Sequence, residues 1–300
     1  MKHVAAIAGK RLALSNLEKN LYPAYGFTKA QIIDYYRRMA PYILPHLRER
    51  ALTLKRYPGG VEEPFFFEKR CPVYRPPWVQ TADVPQHDGG LLTACLVNDL
   101  QTLAWVANLA SLELHVPLAR ADSPGSPDAM VFDLDPGEGA DIRDCAEVAL
   151  ILRALLDDLK LQCLVKTSGQ KGLHVYVPLD RRHTTFAATK QFSKSVAEQM
   201  QQSYPDLVTA KVAKAERKNR VLINWAQNDA SKTTVAVYSL RARQKPYVSF
   251  PLAWEALAKP VAGRGPDRFQ VLPDEALAAV EREDDLFREA VGGKQTLPHM

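Results

Sequence analysis

The chain has 300 residues, 46% of them hydrophobic and 24% charged, with a formal net charge of +5 at pH 7. That length and balance exclude a disordered chain or a minimal disulfide scaffold, and they leave room for one large core or two lobes. The mild cationic excess admits a polyanionic partner without demanding one. No apolar run reaches membrane-spanning length, and Lys10-Arg11 interrupt the N-terminal one too soon for a signal peptide, so a cytoplasmic chain with no membrane partner is expected. The four cysteines, Cys71, Cys95, Cys145 and Cys163, are widely spaced and form no C-x-x-C pair, which argues against zinc and fits a reducing compartment.

In chain order, Thr28-Lys29-Ala30-Gln31 reads as a capping box opening a helix whose apolar positions include Ile32, Ile33, Tyr36 and Met39. The spacing of Leu100, Leu103, Val106 and Leu109 predicts a helix over residues 98–114. An apolar strand follows at residues 129–135, closed by Asp133, Asp135 and the turn Pro136-Gly137. A helix fits residues 142–159, a strand begins at Cys163, and a further helix fits residues 185–204. Strands are expected at residues 221–225 and 233–238. Beyond Pro246 the pattern weakens into short helices and proline-rich connections, and residues 292–300 read as a frayed tail. The class is α/β, with mixed sheets flanked by helices.

Alternation along the strand puts the Asp133 and Asp135 carboxylates on one face and Phe132 and Leu134 on the other. Like charges held that close raise one another's pKa unless a cation sits between them. Hard ions such as Mg²⁺ or Mn²⁺ take oxygen ligands of this kind together with substrate phosphates. Alone, a D-x-D pair is more often a solvated strand end than a metal site. Downstream, Lys166-Thr167-Ser168-Gly169-Gln170-Lys171-Gly172-Leu173-His174 reads as strand, glycine turn, strand. Ser168 offers a hydroxyl, Lys171 a charge and His174 an imidazole, around backbone N–H groups that suit a triphosphate. The plain alternative is a hairpin with a satisfied histidine.

Basic residues gather in three clusters. One holds Arg48, Arg50, Lys55 and Arg56; a second holds Lys211, Lys214, Arg217, Lys218 and Arg220; a third holds Arg241, Arg243 and Lys245. Any one such run is ordinarily a solvated face, but the three together favour phosphate contacts, and Arg220 is placed with the DNA-binding residues.

The segments F-D-L-D-P-G, K-T-S-G-Q-K-G-L-H-V-Y-V-P-L and N-W-A-Q-N-D-A-S-K-T-T-V-A-V-Y-S-L-R stand in this order. Together they resemble the polymerase domain of bacterial ATP-dependent DNA ligase D, of the archaeo-eukaryotic primase superfamily, which serves non-homologous end joining. The resemblance runs over residues 12–254. It implies a single primase-polymerase domain over residues 1–300. Residues 1–90 would read DNA ends and the 5′-phosphate, residues 91–260 would form the catalytic core, and residues 261–300 C-terminal helices and tail.

The resemblance further implies a DNA-end-directed, template-dependent nucleotidyltransferase that fills gaps at double-strand breaks, favours ribonucleotides and uses a two-metal site for Mn²⁺ or Mg²⁺. Asp133 and Asp135 match the family carboxylates that touch both ions, and Asn224 stands where the family has a third aspartate. His115, Ser168, Lys171, His174 and Arg241 match nucleotide-binding positions. Lys19 and Lys29 match lysines that hold the 5′-phosphate, and Phe66 and Phe67 match aromatics that stack on template bases. Implied partners are 5′-phosphorylated DNA ends, nucleoside triphosphates, ligase and nuclease domains of the same protein and the Ku end-binding protein, at the nucleoid. Asn224 keeps open a non-catalytic DNA-end-binding and synapsis module; a stand-alone primase fits the match of Lys19 and Lys29 less well.

Overall fold

The computed structural model describes residues 2–86, 89–258 and 267–298. The chain divides into two compact units. One is assembled from Met1–Asp122, Thr233–Ser249 and Val271–Asp285, the other from Ser123–Lys232, Phe250–Gln270 and Leu286–Met300.

In the first unit an antiparallel sheet runs in the order Thr234–Val235, Ser111–Val116, Thr53–Arg56, Phe66–Glu68. The helix Lys29–Leu47 opens on the expected capping box, Thr28 accepting from the Gln31 N–H while the Gln31 side chain accepts from the Thr28 N–H. Its buried stripe is Ile32, Ile33, Tyr36, Met39 and Ile43. The helix expected over residues 98–114 is two elements, a helix at Leu100–Asn108 capped by Asp99 and a strand at Ser111–Val116. Ala110, at φ 57, turns the chain between them. The period survived the break because Leu112 and Leu114 remain fully buried from the strand.

The strand expected at residues 233–238 is only Thr234–Val235, because Tyr238 takes a left-handed φ of 64 and breaks the extended run. Buried tyrosines satisfy the irregular stretch that follows. Tyr35 Oη donates to the Tyr238 carbonyl at 2.8 Å, Tyr22 Oη donates to the Arg241 carbonyl at 3.1 Å, and Leu240 N–H donates to Tyr36 Oη at 3.1 Å. Cys71 and Cys95, which spacing left unpaired, form a disulfide between the loop after Phe66–Glu68 and the hairpin strand Leu91–Cys95. Cys71 N–H donates to the Thr93 carbonyl beside it, a contact that sequence separation conceals.

In the second unit a six-stranded sheet has the order Val208–Thr209, Val221–Asn224, Ala129–Pro136, Leu173–Pro178, Leu164–Thr167, Pro251–Leu252. Only the first pair is parallel. Phe132, Leu134, Val175 and Ile223 on one sheet face pack with Cys145, Val148 and Leu152 of the helix Ile142–Asp158 and with Phe192 and Val196 of the helix Phe186–Ser203. Each large apolar side chain so buried contributes about 1.5–3 kcal/mol. The opposite face is therefore free to carry polar groups.

The chain leaves the sheet after Asn224, yet the ladder continues. The buried Asn228 side chain accepts from the Val131 N–H at 2.9 Å and donates to the Val131 carbonyl at 2.7 Å, standing in for a strand neighbour. The tail is not frayed as far as residue 298. Gln295 exchanges hydrogen bonds with the Gln162 backbone at 2.6 and 3.0 Å, and Leu297 packs on the core. Among the described residues no helix is long and apolar enough to cross a membrane.

Candidate functional site

Register places one polar row across the second unit's sheet. Asp133 sits opposite Asn224 on one side and His174 on the other, and His174 sits opposite Lys166. These positions share the face opposite Phe132 and Ile223. His174 Nε2 lies 3.3 Å from Asp133 Oδ1, and Asn224 Nδ2 donates to Asp133 Oδ2 at 3.1 Å. Burial pushes the Asp133 carboxyl up, but the His174 contact, the Asn224 amide and the Lys166 charge outweigh it and hold the group below its usual range. Asp135, on the same strand face, is half exposed; burial of its inner edge and the charge of Asp133 push it up, against Arg217 and Lys171.

Two unlike carboxylates on one face suit a divalent cation. Asp133 is already ionised, and Asp135 gains most from added positive charge. Among the described residues no group of three or more His, Cys, Asp and Glu side chains could hold a metal. The third position presents an amide N–H to Asp133 rather than an acceptor. Asp229 does not replace it, because Lys190 holds it at 2.7 Å.

Gly172 fixes the turn, since a Cβ there would collide with the Leu134 carbonyl on the acidic strand. Ser168 Oγ accepts from the Gln170 and Gly172 N–H groups, both at 3.2 Å, so the hydroxyl that resembles a nucleotide ligand also shapes its own loop. Lys171 is exposed at the tip. Of the basic loop, Arg217 rather than Arg220 reaches the acidic pair, at 3.4 Å from Asp135 Oδ2. Arg220 instead lies 3.9 Å from Glu216 and 3.5 Å from the Pro205 carbonyl. A Cβ on Gly137 would collide with the Arg217 carbonyl, so the turn after the acidic pair is also the seat of that loop.

In the first unit His115 and Arg241 meet on a carboxylate that sequence reasoning missed. Glu113, with no exposed surface, lies 2.9 Å from His115 Nε2, 3.3 Å from an Arg241 terminal nitrogen and 3.4 Å from Lys55 Nζ. Burial alone would raise its pKa, but these partners overcome that and hold it at about 2. Burial lowers the His115 pKa against the pull of Glu113, which favours the neutral imidazole. The alternation of Leu112 and Leu114 with Glu113 and His115 was the available signal, a carboxylate on a strand whose neighbours are apolar.

Lys29 opens its helix and is only 5% exposed, its Nζ donating to the Ser15 carbonyl at 2.6 Å. Burial, followed by the charges of Lys19 and Arg56, lowers its pKa to about 8. Lys29 N–H donates to the Lys19 carbonyl, which keeps the two lysines together, while Lys19 Nζ donates to the Pro58 carbonyl at 2.5 Å. Lys19 and Lys29 beside a helix N-terminus suit a dianion, with Arg56 nearby already paired to Glu68 at 2.9 Å. Phe66 and Phe67 are 43% and 55% exposed, and Phe67 stands edge-on to His115 with ring centroids 6.2 Å apart. Large aromatics so exposed are available for stacking.

The family described as LigD, primase-polymerase domain, matches residues 28–287. The chain belongs to this family. It is 42% identical over 286 residues to the multifunctional non-homologous end joining DNA repair protein LigD of Mycobacterium tuberculosis (strain ATCC 25618 / H37Rv), an alignment covering 93% of this chain and 37% of that protein. A bifunctional non-homologous end joining LigD of Bacillus subtilis is 32% identical over 244 residues, covering 81% of this chain and 39% of the relative. The chain thus spans well under half the length of these LigD proteins. The solved polymerase domain of M. tuberculosis ligase D in complex with DNA superposes with a TM-score of 0.87 at 41% identity, covering 95% of this chain and 99% of that one. The mixed α/β fold is that of the LigD polymerase domain.

Proposed function

We propose that this LigD-type domain is a template-dependent nucleotidyltransferase that fills gaps at 5′-phosphorylated DNA ends, favours ribonucleotides and takes Mn²⁺ or Mg²⁺, at a rate lowered by Asn224. The observation that carries this reading is the polar row, in which His174 keeps Asp133 ionised beside Asp135. Those two carboxylates would hold the metal. When bound, a divalent cation would stabilise charge developing on the transferred phosphoryl group and on the leaving pyrophosphate. By the family resemblance Ser168, Lys171 and His174 in one unit, and His115 and Arg241 in the other, would be nucleotide-binding residues, the arginine through a planar fork suited to paired oxygens. Lys19 and Lys29 would hold the 5′-phosphate. Phe66 and Phe67 would stack on template bases, each stack contributing about 1–3 kcal/mol regardless of sequence. Ligase and nuclease domains of a longer protein and the Ku end-binding protein are the proposed partners, at the nucleoid in the cytoplasm.

The Asn224 N–H on Asp133 favours a second reading, a DNA-end-binding and synapsis module without turnover. Primer extension on a gapped, 5′-phosphorylated duplex in Mn²⁺, with ribonucleotides and deoxyribonucleotides compared, separates the two. Extension that is faster with ribonucleotides supports the enzyme. No extension, with DNA-end binding retained, supports the module. Failure to bind DNA ends overturns both.

A further inference from the structure

Glu113 has no solvent exposure, yet four donors meet on it besides His115. These are an Arg241 terminal nitrogen at 3.3 Å, Lys55 Nζ at 3.4 Å, Tyr57 Oη at 3.4 Å and the Ala242 N–H at 3.2 Å. One carboxylate therefore balances two permanent cations, so the cluster keeps a net positive charge in a buried setting. Arg241 is itself only 8% exposed, and its Nε is buried without a hydrogen-bond partner. A guanidinium held at one nitrogen and unsatisfied at another has a donor in reserve. Its backbone is fixed as well, because Tyr22 Oη donates to the Arg241 carbonyl and Arg241 N–H donates to the Tyr247 carbonyl at 2.7 Å. A buried ion cluster is weak evidence for stability, because replacing such groups with apolar ones often stabilises. Its geometry is what distinguishes it: side chain and main chain converge on a single arginine.

We propose that Glu113 is a positioning residue of the nucleotide site, touching no substrate itself and setting Arg241, and with it His115 and Lys55, in place before a triphosphate arrives. The inference rests on the reading of Arg241 as a nucleotide-binding group. Pre-set cations lose less freedom on binding, so removing Glu113 costs affinity for the anion even though it removes a negative charge.

The test is calorimetric titration of a ribonucleoside triphosphate in Mg²⁺ into the unsubstituted chain, Glu113→Gln, Arg241→Gln and the double variant, with affinity for a 5′-phosphorylated gapped duplex measured beside it. Glu113→Gln should weaken nucleotide binding about ten- to a hundredfold, as loss of a charged hydrogen bond does, while duplex affinity holds. In the Arg241→Gln background it should add a clearly smaller factor than in the unsubstituted chain, because its principal target is gone while His115 and Lys55 remain. Unchanged nucleotide affinity in Glu113→Gln, full multiplication of the two effects, or an equal loss of duplex affinity would each overturn the inference. Should Glu113→Gln not fold, Glu113→Asp keeps the charge at shorter reach. It should weaken nucleotide binding about threefold or more, and no change would likewise overturn the inference. If the unsubstituted chain binds no nucleotide, or Arg241→Gln has no effect, the nucleotide assignment itself has failed.

Discussion

Asn224→Asp should add a third carboxylate to the metal site proposed at Asp133 and Asp135 and so raise its affinity for a divalent ion. In the present chain Asn224 gives Asp133 a hydrogen bond at 3.1 Å and contributes no charge. At about 4 Å and an effective dielectric near 20, a pair of unit charges interacts by about 4 kcal/mol. The repulsion of Asp133 by the new carboxylate, about 4 kcal/mol, is present with and without the ion, so the gain in affinity is set by the attraction of a divalent ion, about 8 kcal/mol before screening. Partial exposure of the row reduces that to about 2 kcal/mol, or roughly thirtyfold in affinity for the added ion. Without metal the sign reverses: a hydrogen bond is lost and two like charges face each other, so the variant should melt earlier than the parent in EDTA. Mn²⁺ titration read by the electron paramagnetic resonance of the free ion, with melting curves in EDTA and in Mn²⁺, checks both halves. Equal Mn²⁺ affinity in the two forms would refute the reasoning, whatever the extension rates.

Lys29 should make end recognition sensitive to pH. Its pKa, lowered to about 8 by burial, keeps the ammonium charged below that pH and lost above it, so the preference for 5′-phosphorylated over unphosphorylated gapped duplex should shrink between about pH 7 and 9.5. A bound dianion raises the midpoint, and Lys29→Ala should show a small preference independent of pH; a constant preference in the unsubstituted chain would exclude the role. Asn228→Ala should cost about 2–4 kcal/mol in urea unfolding, since it orphans both the N–H and the carbonyl of the buried Val131, and a loss below about 0.5 kcal/mol would mean that water or backbone replaces the amide.

What was legible in the chain was local. Thr28 and Gln31 announce their helix because the capping box is closed within three residues, and the acidic pair shares a face because alternation is a property of one strand. What escaped depends on partners distant in sequence. Ala110 breaks an apolar period that both helix and strand can satisfy, and Tyr238 leaves its strand beside tyrosines from the first helix. Gln295 pins a tail whose composition reads as loose, and Cys71 finds Cys95 across a loop. At the candidate site the glycine turn marked Ser168 and His174, but nothing in the run Leu112-Glu113-Leu114 shows that three basic side chains will close on the middle residue. The choice of Arg217 over Arg220 at Asp135 is likewise made by where a loop is seated.

The hydroxyl of Tyr22 and the carbonyl of Arg241 that it reaches are 219 residues apart. During synthesis, at about 5–20 residues per second, roughly 10–40 seconds separate the emergence of the two. In that interval the strand pair Asn20–Tyr22 and Phe27–Thr28 lacks the acceptor for its Tyr22 hydroxyl, while the stretch Ser123–Lys232, with the acidic strand, the glycine turn and the Asn224 strand, is contiguous. The strands bearing the acidic pair can pair first, while both units are completed only when segments from the last third of the chain return to them.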